Sequence, residues 1–251
     1  MFMSPASEAG FTEPTVAECL VQQITLLTDG IYRVQLLLNA PLKHLAGQYL
    51  ELLLDEQAVP YTIASAPGQL PMLELQIQDQ GEESLSSQVI RHFKTESRVQ
   101  VRLPMGDCYL DQPPVRADQP LIFIAAGTGF AQMKALIEHA LAEQMSNPLH
   151  LYWGVREAEH LYGHELIKHW QQCHPQFHFH PVVSAVGIGD WSGRIGLVHN
   201  SVLEDFERLD NAQIYVCGSP AMVYAVEDDF RLRGMGDGQM HADVYSYAPR
   251  G

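Results

Sequence analysis

The 251 residues carry 30 acidic against 15 basic side chains, a formal net charge of −15 with the histidines neutral. That balance argues against nucleic-acid or anionic-membrane partners, which need a basic footprint; the length suits two modest domains or one large one with a full core. Cys19, Cys108, Cys173 and Cys217 are scattered with no C-x-x-C pair, which argues against a zinc site or iron–sulfur cluster held by local spacing and reads as reduced thiols in a cytoplasmic protein.

Residues 1–14 lack a basic stretch followed by an apolar one and read as a loose tail, and no later run reaches the roughly 18–20 uncharged apolar residues of a membrane helix. Short strand-like runs follow, at 17–26, 31–38, 49–54, 61–65, 73–78 and 99–103, interrupted by one helix at 84–94. Many short strands with a single helix predict a small antiparallel barrel over residues 15–114. The paired prolines of residues 111–119 (DQPPVRADQ) make a linker. From 115 to 251 the texture alternates: strands at 121–125, 149–154, 177–183, 213–217 and 241–245, helices at 130–145, 161–173, 198–207 and 220–233. Such alternation predicts parallel strands joined by right-handed crossovers, a doubly wound five-stranded α/β sheet.

The run LIFIAAGTGF at 121–130 carries the sharpest signal. Five apolar residues form a strand buried on both faces, and Gly127 and Gly129 then permit positive φ and close approach of a ligand to the backbone. In the helix that follows, Phe130, Met133, Leu136, Ile137, Ala140 and Leu141 share one face, while Lys134, Glu138 and Glu143 lie away from it. A glycine turn feeding a helix N-terminus offers free N–H groups to a pyrophosphate. The pattern is incomplete: the third glycine of G-x-G-x-x-G is replaced by Gln132, and a tight turn without ligand is the alternative.

The second signal is VPYTIASAP at 59–67, an uncharged strand ending in small residues and proline. A flavin ring needs an apolar slot, a stacking aromatic and a hydrogen bond near N5, and Tyr61 and Thr62 supply the last two. By composition alone the same run reads as a core strand.

Taken together, AGQYL (46–50), PYTIAS (60–65), PMGDCYL (104–110), IAAGTGF (124–130), LYWGVREAEHLY (151–162), WSGRIG (191–196) and YVCGSPAMV (215–223) resemble the ferredoxin–NADP reductase superfamily, nearest to bacterial NAD(P)H–flavin reductases. The resemblance spans residues 17–248. It implies that Pro60, Tyr61 and Thr62 form the flavin-contacting strand, with the Thr62 hydroxyl beside N5. Gly127, Thr128 and Gly129 would receive the pyrophosphate of NADH or NADPH. Arg156 would meet the adenosine side, while Cys217, Gly218 and Ser219 would lie beside the nicotinamide; Thr62 and Cys217 are the catalytic candidates, with a buried core thiol the alternative for Cys217. Tyr245 aligns with a C-terminal aromatic that covers the flavin, and Ser84 lies where related enzymes bind flavin phosphate.

One departure stands out. The family strand reads R-x-[YF]-[ST], its arginine pairing with the flavin phosphate or ribityl chain, and here that position is Val59. The nearby GEESLSS (81–87) adds Glu82 and Glu83, which repel phosphate. This favours a flavin (FMN, FAD or riboflavin) that comes and goes as a substrate, or one gripped by its ring.

The implied activity is hydride transfer from a nicotinamide to flavin N5, with reduced flavin supplied to another enzyme. Two alternatives stay open: a bound-flavin reductase serving a protein partner such as an oxygenase or deoxysugar-forming enzyme, whose iron–sulfur centre would be separate, and a non-catalytic nucleotide-binding subunit. CHPQFHFH (173–180) looks metal-like, but incidental metal affinity is the expectation rather than a physiological metal. Arg194 either steers a phosphate or caps a loop, and the acidic run at 227–229 reads as a solvated face.

Overall fold

In the computed structural model, which describes residues 13–54, 57–110, 116–185 and 191–250, the chain builds two sheets of six strands each. The predicted tail before residue 13 and the Pro-Pro segment of the linker lie outside the described residues. The first sheet comprises β1 (Thr15–Thr28), β2 (Ile31–Leu38), β3 (Tyr49–Leu54), β4 (Gln57–Thr62), β5 (Met72–Gln78) and β6 (Arg98–Met105). Its spatial order is β4-β3-β6-β1-β2-β5 and every pairing is antiparallel. The two ends meet just past β4, where the Ala64 N–H donates to the Glu74 carbonyl at 2.7 Å. Inward residues such as Val34, Leu36, Leu52, Leu75 and Val101 fill the barrel, and the helix α1 (Leu85–Thr95) adds Val89, Ile90 and Phe93 to that core.

β4 starts before the strand predicted at 61–65 and ends at Thr62. Gln57 and Ala58 have little strand propensity, and Pro60 cannot donate to a ladder, so the element is recognisable only through its pairing with β3 from Tyr49–Thr62 to Leu54–Gln57.

The second sheet contains β7 (Leu121–Ala126), β8 (Leu149–Val155), β9 (Phe177–Val183), β10 (Arg194–Ile195), β11 (Gln213–Cys217) and β12 (Met240–His241), all parallel, in the order β10-β9-β8-β7-β11-β12. The sheet exceeds the predicted five strands by the two-residue β10 at its edge. Helices α2 (Phe130–Ala142) and α3 (His164–Cys173) cover one face, while α4 (Val198–Asp205) and α5 (Pro220–Arg231) cover the other. From β7 the chain winds outward through β8 and β9, then returns to add β11 on β7's other side. The glycine turn after β7 therefore sits at the topological switch point, where open α/β sheets form their ligand crevice.

The strand predicted at 241–245 is a correction. Only Met240–His241 pairs, with Ile214–Tyr215, and the chain then turns into α6 (Val244–Tyr247). Met240, Ala242 and Val244 are all buried, and that alternation imitates a strand.

Candidate active site

The site begins with the turn after β7. Gly127 has φ +52°, with no atom within 4 Å of where a Cβ would stand, so its outer side is open space. Gly129 is a glycine for a different reason: a Cβ there would lie 2.4 Å from the Cys217 carbonyl oxygen, where the turn crosses the end of β11. An aromatic pile anchors the turn from below. Trp153 Nε1 donates to the Gly127 carbonyl at 2.9 Å, and its ring stacks on Phe130 with centroids 4.0 Å apart. Tyr162 meets both rings edge-on, and its hydroxyl donates to Gln76 of the barrel at 2.8 Å.

Two cavities flank this turn. One, of about 720 Å³, is lined by Gly127, Gly154, Arg156, Ser184, Val198 and Met222 among others. The other, of about 430 Å³, lies between β4, the start of α1 and Cys217, and is lined by Val59, Pro60, Tyr61, Thr62, Thr128 and Gly129 among others. Gln78 lines both. The turn is thus a shared wall, with Gly127 on one side and Thr128 and Gly129 on the other.

Of the residues predicted for the site, Pro60, Tyr61, Thr62, Thr128, Gly129 and Cys217 converge on the smaller cavity, and Gly127 and Arg156 on the larger. Gly218 and Ser219 line neither. Ser219 caps α5, accepting from the Met222 N–H at 3.3 Å, and it is Ala221 and Met222 that reach the larger cavity. Ser84 caps α1, accepting from the Ser87 N–H at 3.1 Å. Tyr245 packs against α5, its ring 6.0 Å from that of Tyr224, within the cluster on the far face of the sheet. Tyr247, which the sequence reading passed over, is the C-terminal aromatic that approaches Cys217: burial raises its pKa, and Cys217 and Asp243 add to the rise.

Burial pushes the Tyr61 phenol and the Cys217 thiol up to about 12, and nearby Asp243 adds to the effect on Cys217. Both are neutral near pH 7, so Cys217 offers a compact, polarizable contact and not a thiolate nucleophile.

Polar ties across the two sheets were not foreseen. Gln132, in place of the third glycine, is 1 % exposed and donates through Nε2 to the Gly47 carbonyl and to Asp243, each at 2.7 Å. Lys134 turns toward the barrel instead of solvent, with Nζ 3.0 Å from the Ala64 carbonyl, 3.0 Å from Glu138 and 3.6 Å from Glu74. Nothing local in the sequence marks either Gln132 or Asp243 as part of this tie.

Other polar groups are occupied structurally. Arg194 binds Asp205 at 2.7 Å and the Ser201 carbonyl at 2.8 Å, so its guanidinium is taken up by α4, which follows it, and not by the preceding loop. In the acidic run on α5, Glu227 pairs with Arg231 and Asp228 with Arg250, while Asp229 lies 3.2 Å from His199 Nε2. His150 and His180 approach to 3.3 Å, but the neighbouring Asp205 is held by Arg194 and the Tyr152 hydroxyl.

Residues 123–228 match the oxidoreductase NAD-binding domain family. Over 237 residues the chain is 31% identical to an NAD(P)H–flavin reductase of Vibrio harveyi, covering 92% of this chain and 98% of that protein. The chain belongs to the ferredoxin–NADP reductase superfamily. It lies close to the NAD(P)H–flavin reductases, and two further relatives span nearly as much of it. A Yersinia pestis CDP-6-deoxy-L-threo-D-glycero-4-hexulose-3-dehydrase reductase is 32% identical over 230 residues, 90% of this chain and 68% of that one. The crystal structure of an Amycolatopsis cytochrome P450 reductase superposes with a TM-score of 0.84 at 29% identity, covering 92% of this chain and 69% of that one.

Proposed function

We propose that this chain is an NAD(P)H–flavin oxidoreductase whose reduced flavin serves another enzyme. The observation that carries the reading is the shared wall: one glycine turn separates a cleft of about 720 Å³ from an uncharged slot, so ligands in the two would meet at Thr128–Gly129. The open, left-handed Gly127 and the cleft running past Arg156 fit a nicotinamide dinucleotide. The slot fits an isoalloxazine ring, with the Tyr61 ring, the Leu85 side chain and Cys217 around it.

When bound, the nicotinamide supplies a hydride and flavin N5 accepts it. The protein's share is positioning. Thr62 offers a hydroxyl donor at the slot, Tyr61 and Cys217 contribute neutral faces that leave the ring's charge undisturbed, and the tight Gly129–Cys217 crossing fixes the depth at which the two ligands meet. No protein nucleophile or acid–base pair is required.

The test is oxidation of NADH and NADPH by the purified chain, with and without riboflavin, FMN or FAD, after its visible spectrum has been recorded. Turnover that depends on added flavin supports the reading, and equal turnover without flavin or any partner overturns it. The second reading, a tightly held flavin serving a protein acceptor, is favoured by the Yersinia and Amycolatopsis relatives, both named as reductases of a partner system. A yellow protein inert toward added flavin would select it.

A further inference from the structure

We propose that Lys134 is a positioning residue for hydride transfer, its buried ammonium setting the spacing between Thr62 on the barrel and the glycine turn; this rests on the functional reading above. Lys134 lies five residues beyond Gly129 on α2, so about 7.5 Å of stiff helix joins it to the turn. Its side chain is 8 % exposed, and its Nζ donates to the Ala64 carbonyl at 3.0 Å. Ala64 lies two residues past Thr62, at most about 7 Å of chain from the hydroxyl-bearing residue that lines the slot. One hydrogen bond therefore joins the two sides of the slot through short covalent paths. Lys134 itself lines neither cavity.

Both partners of this bond are themselves fixed. On the helix side, Glu138 accepts from Nζ at 3.0 Å, and Gln69 Nε2 donates to the same Glu138 oxygen at 3.0 Å, a second bond between barrel and α2. On the barrel side, the Ala64 N–H donates to the Glu74 carbonyl at 2.7 Å, and the Glu74 N–H donates to Ser65 Oγ at 3.1 Å. The Glu74 carboxylate lies 3.6 Å from Nζ and accepts from Gln76 Nε2 at 2.9 Å. Gln76 lines the slot and accepts from the Tyr162 hydroxyl, and the Tyr162 ring meets Phe130 and Trp153 under the turn. The contacts thus close a ring that runs from the turn along α2, across to the barrel and back. Such a ring resists sliding of the turn past Thr62, the motion that would change the depth at which the two ligands meet. Hydride transfer is the step that feels it, since the reacting atoms have to approach within about 3–3.5 Å. Packed apolar side chains often hold a fold as firmly as a buried ion pair; what they lack is the direction that the Nζ–carbonyl bond supplies.

The test compares the double variant Lys134→Met, Glu138→Gln with Lys134→Arg in the full chain. In the double variant one ammonium against two carboxylates becomes one carboxylate alone, so the net charge of the cluster is unchanged. Single turnovers are followed with NADH and its 4-deuterated form, with riboflavin and with FMN as acceptor. The double variant is expected to slow hydride transfer about tenfold, while the KM values for nucleotide and flavin stay within about twofold. Lys134→Arg, which keeps a cation within reach of the carbonyl, is expected to recover most of the rate. Glu138→Gln alone keeps its shape and weakens one Nζ contact; it is expected to slow transfer about two- to threefold, so the outcome does not hang on the double variant folding. Hydrogen exchange without ligands gives a readout apart from activity. In the double variant the Ala64 and Glu74 amides are expected to exchange about tenfold faster, with β1 and β9 unchanged. Wild-type rates of hydride transfer in the folded variants overturn the inference. So do rates and both KM values that change in step while exchange quickens across both sheets, which would assign Lys134 to stability alone. A wild-type chain that oxidises neither NADH nor NADPH with any flavin overturns the functional reading instead, and exchange at Ala64 then still reports on the tie.

Discussion

Gln132 Nε2 lies 2.7 Å from a carboxylate oxygen of Asp243 and 2.7 Å from the Gly47 carbonyl, so one amide ties α2, the barrel and the C-terminal segment together. Gly at this position, as the usual dinucleotide fingerprint has it, removes both bonds and adds the helix-interior cost of glycine. Gln132→Gly is expected to destabilise the fold by about 2–4 kcal/mol, the sum of a charged hydrogen bond and that propensity cost. Chemical denaturation measures it. A loss within experimental error would mean the tie is not made in solution.

Asp243 itself makes stability depend on pH. Burial pushes its carboxyl from 3.8 up to about 6, with Gln132 opposing the rise. A folded value above the unfolded one means that folding opposes ionisation. The penalty is present in full above about pH 6 and vanishes as pH falls through the folded value toward the unfolded one. Asp243→Asn removes the titration. The stability difference, variant minus wild type, is expected to be more positive at pH 8 than at pH 4.5 by about 2 kcal/mol. Melting temperatures of both proteins across this window decide it, and parallel curves would rule it out.

The two glycines of the turn are expected to respond differently to the same substitution. At Gly127 an added Cβ meets open space and only the φ of +52° is unfavourable, so Gly127→Ala costs about 1 kcal/mol. At Gly129 the Cβ meets backbone, the Cys217 carbonyl oxygen at 2.4 Å, and neither the turn nor β11 yields cheaply. Gly129→Ala is expected to cost about 3 kcal/mol or more, in the range of overpacked cores. Similar unfolding midpoints for the two variants would contradict the crossing geometry.

Much of this architecture was legible in the sequence because its periodicities have a single structural solution. The apolar run of β7 has to lie between two covered faces, and the glycines after it have to form the crevice turn. The barrel strands that alternate cleanly, such as β2, were equally plain. Three features were hidden, each for a physical reason. β4 contains Pro60 and depends on register with β3, a non-local fact. The end of the chain alternates like a strand, yet Tyr224 donates to the Ala248 carbonyl at 2.6 Å and Arg250 lies over the Tyr224 ring, which draws this segment onto α5. Lys134 reads as the outer face of an amphipathic helix and Gln132 as a replaced glycine, but both side chains are covered by the barrel. Covering by another domain leaves no local periodic signature.

Thr62→Ala tests positioning at the slot. Loss of one oriented hydroxyl is expected to lower kcat by about 10- to 100-fold, somewhat less than the loss of a preorganised donor to a full oxyanion. The KM for the nicotinamide nucleotide is expected to stay within about twofold, since Thr62 does not line that cleft. Thr62→Ser keeps the hydroxyl and is expected to restore most of the rate. A serine variant as slow as alanine would assign the residue to packing instead.

Coenzyme choice is proposed to turn on Arg156, whose guanidinium is the one lysine or arginine charge among the described residues lining the larger cavity. Its side chain is 79 % exposed, with a Glu157 carboxylate oxygen 4.0 Å away, and the protein around it is strongly acidic. A 2′-phosphate placed there meets one solvated, half-compensated cation, whereas a free ribose hydroxyl needs none and can be accepted by Glu157. NADH is therefore expected to be the better donor. Arg156→Ala is expected to raise the KM for NADPH by about 2- to 5-fold, the scale of an exposed ion pair, while leaving that for NADH unchanged. Glu157→Gln is expected to move NADPH in the opposite direction. Equal effects of Arg156→Ala on both coenzymes would place the side chain against a group they share, such as the pyrophosphate, and remove it from the choice between them.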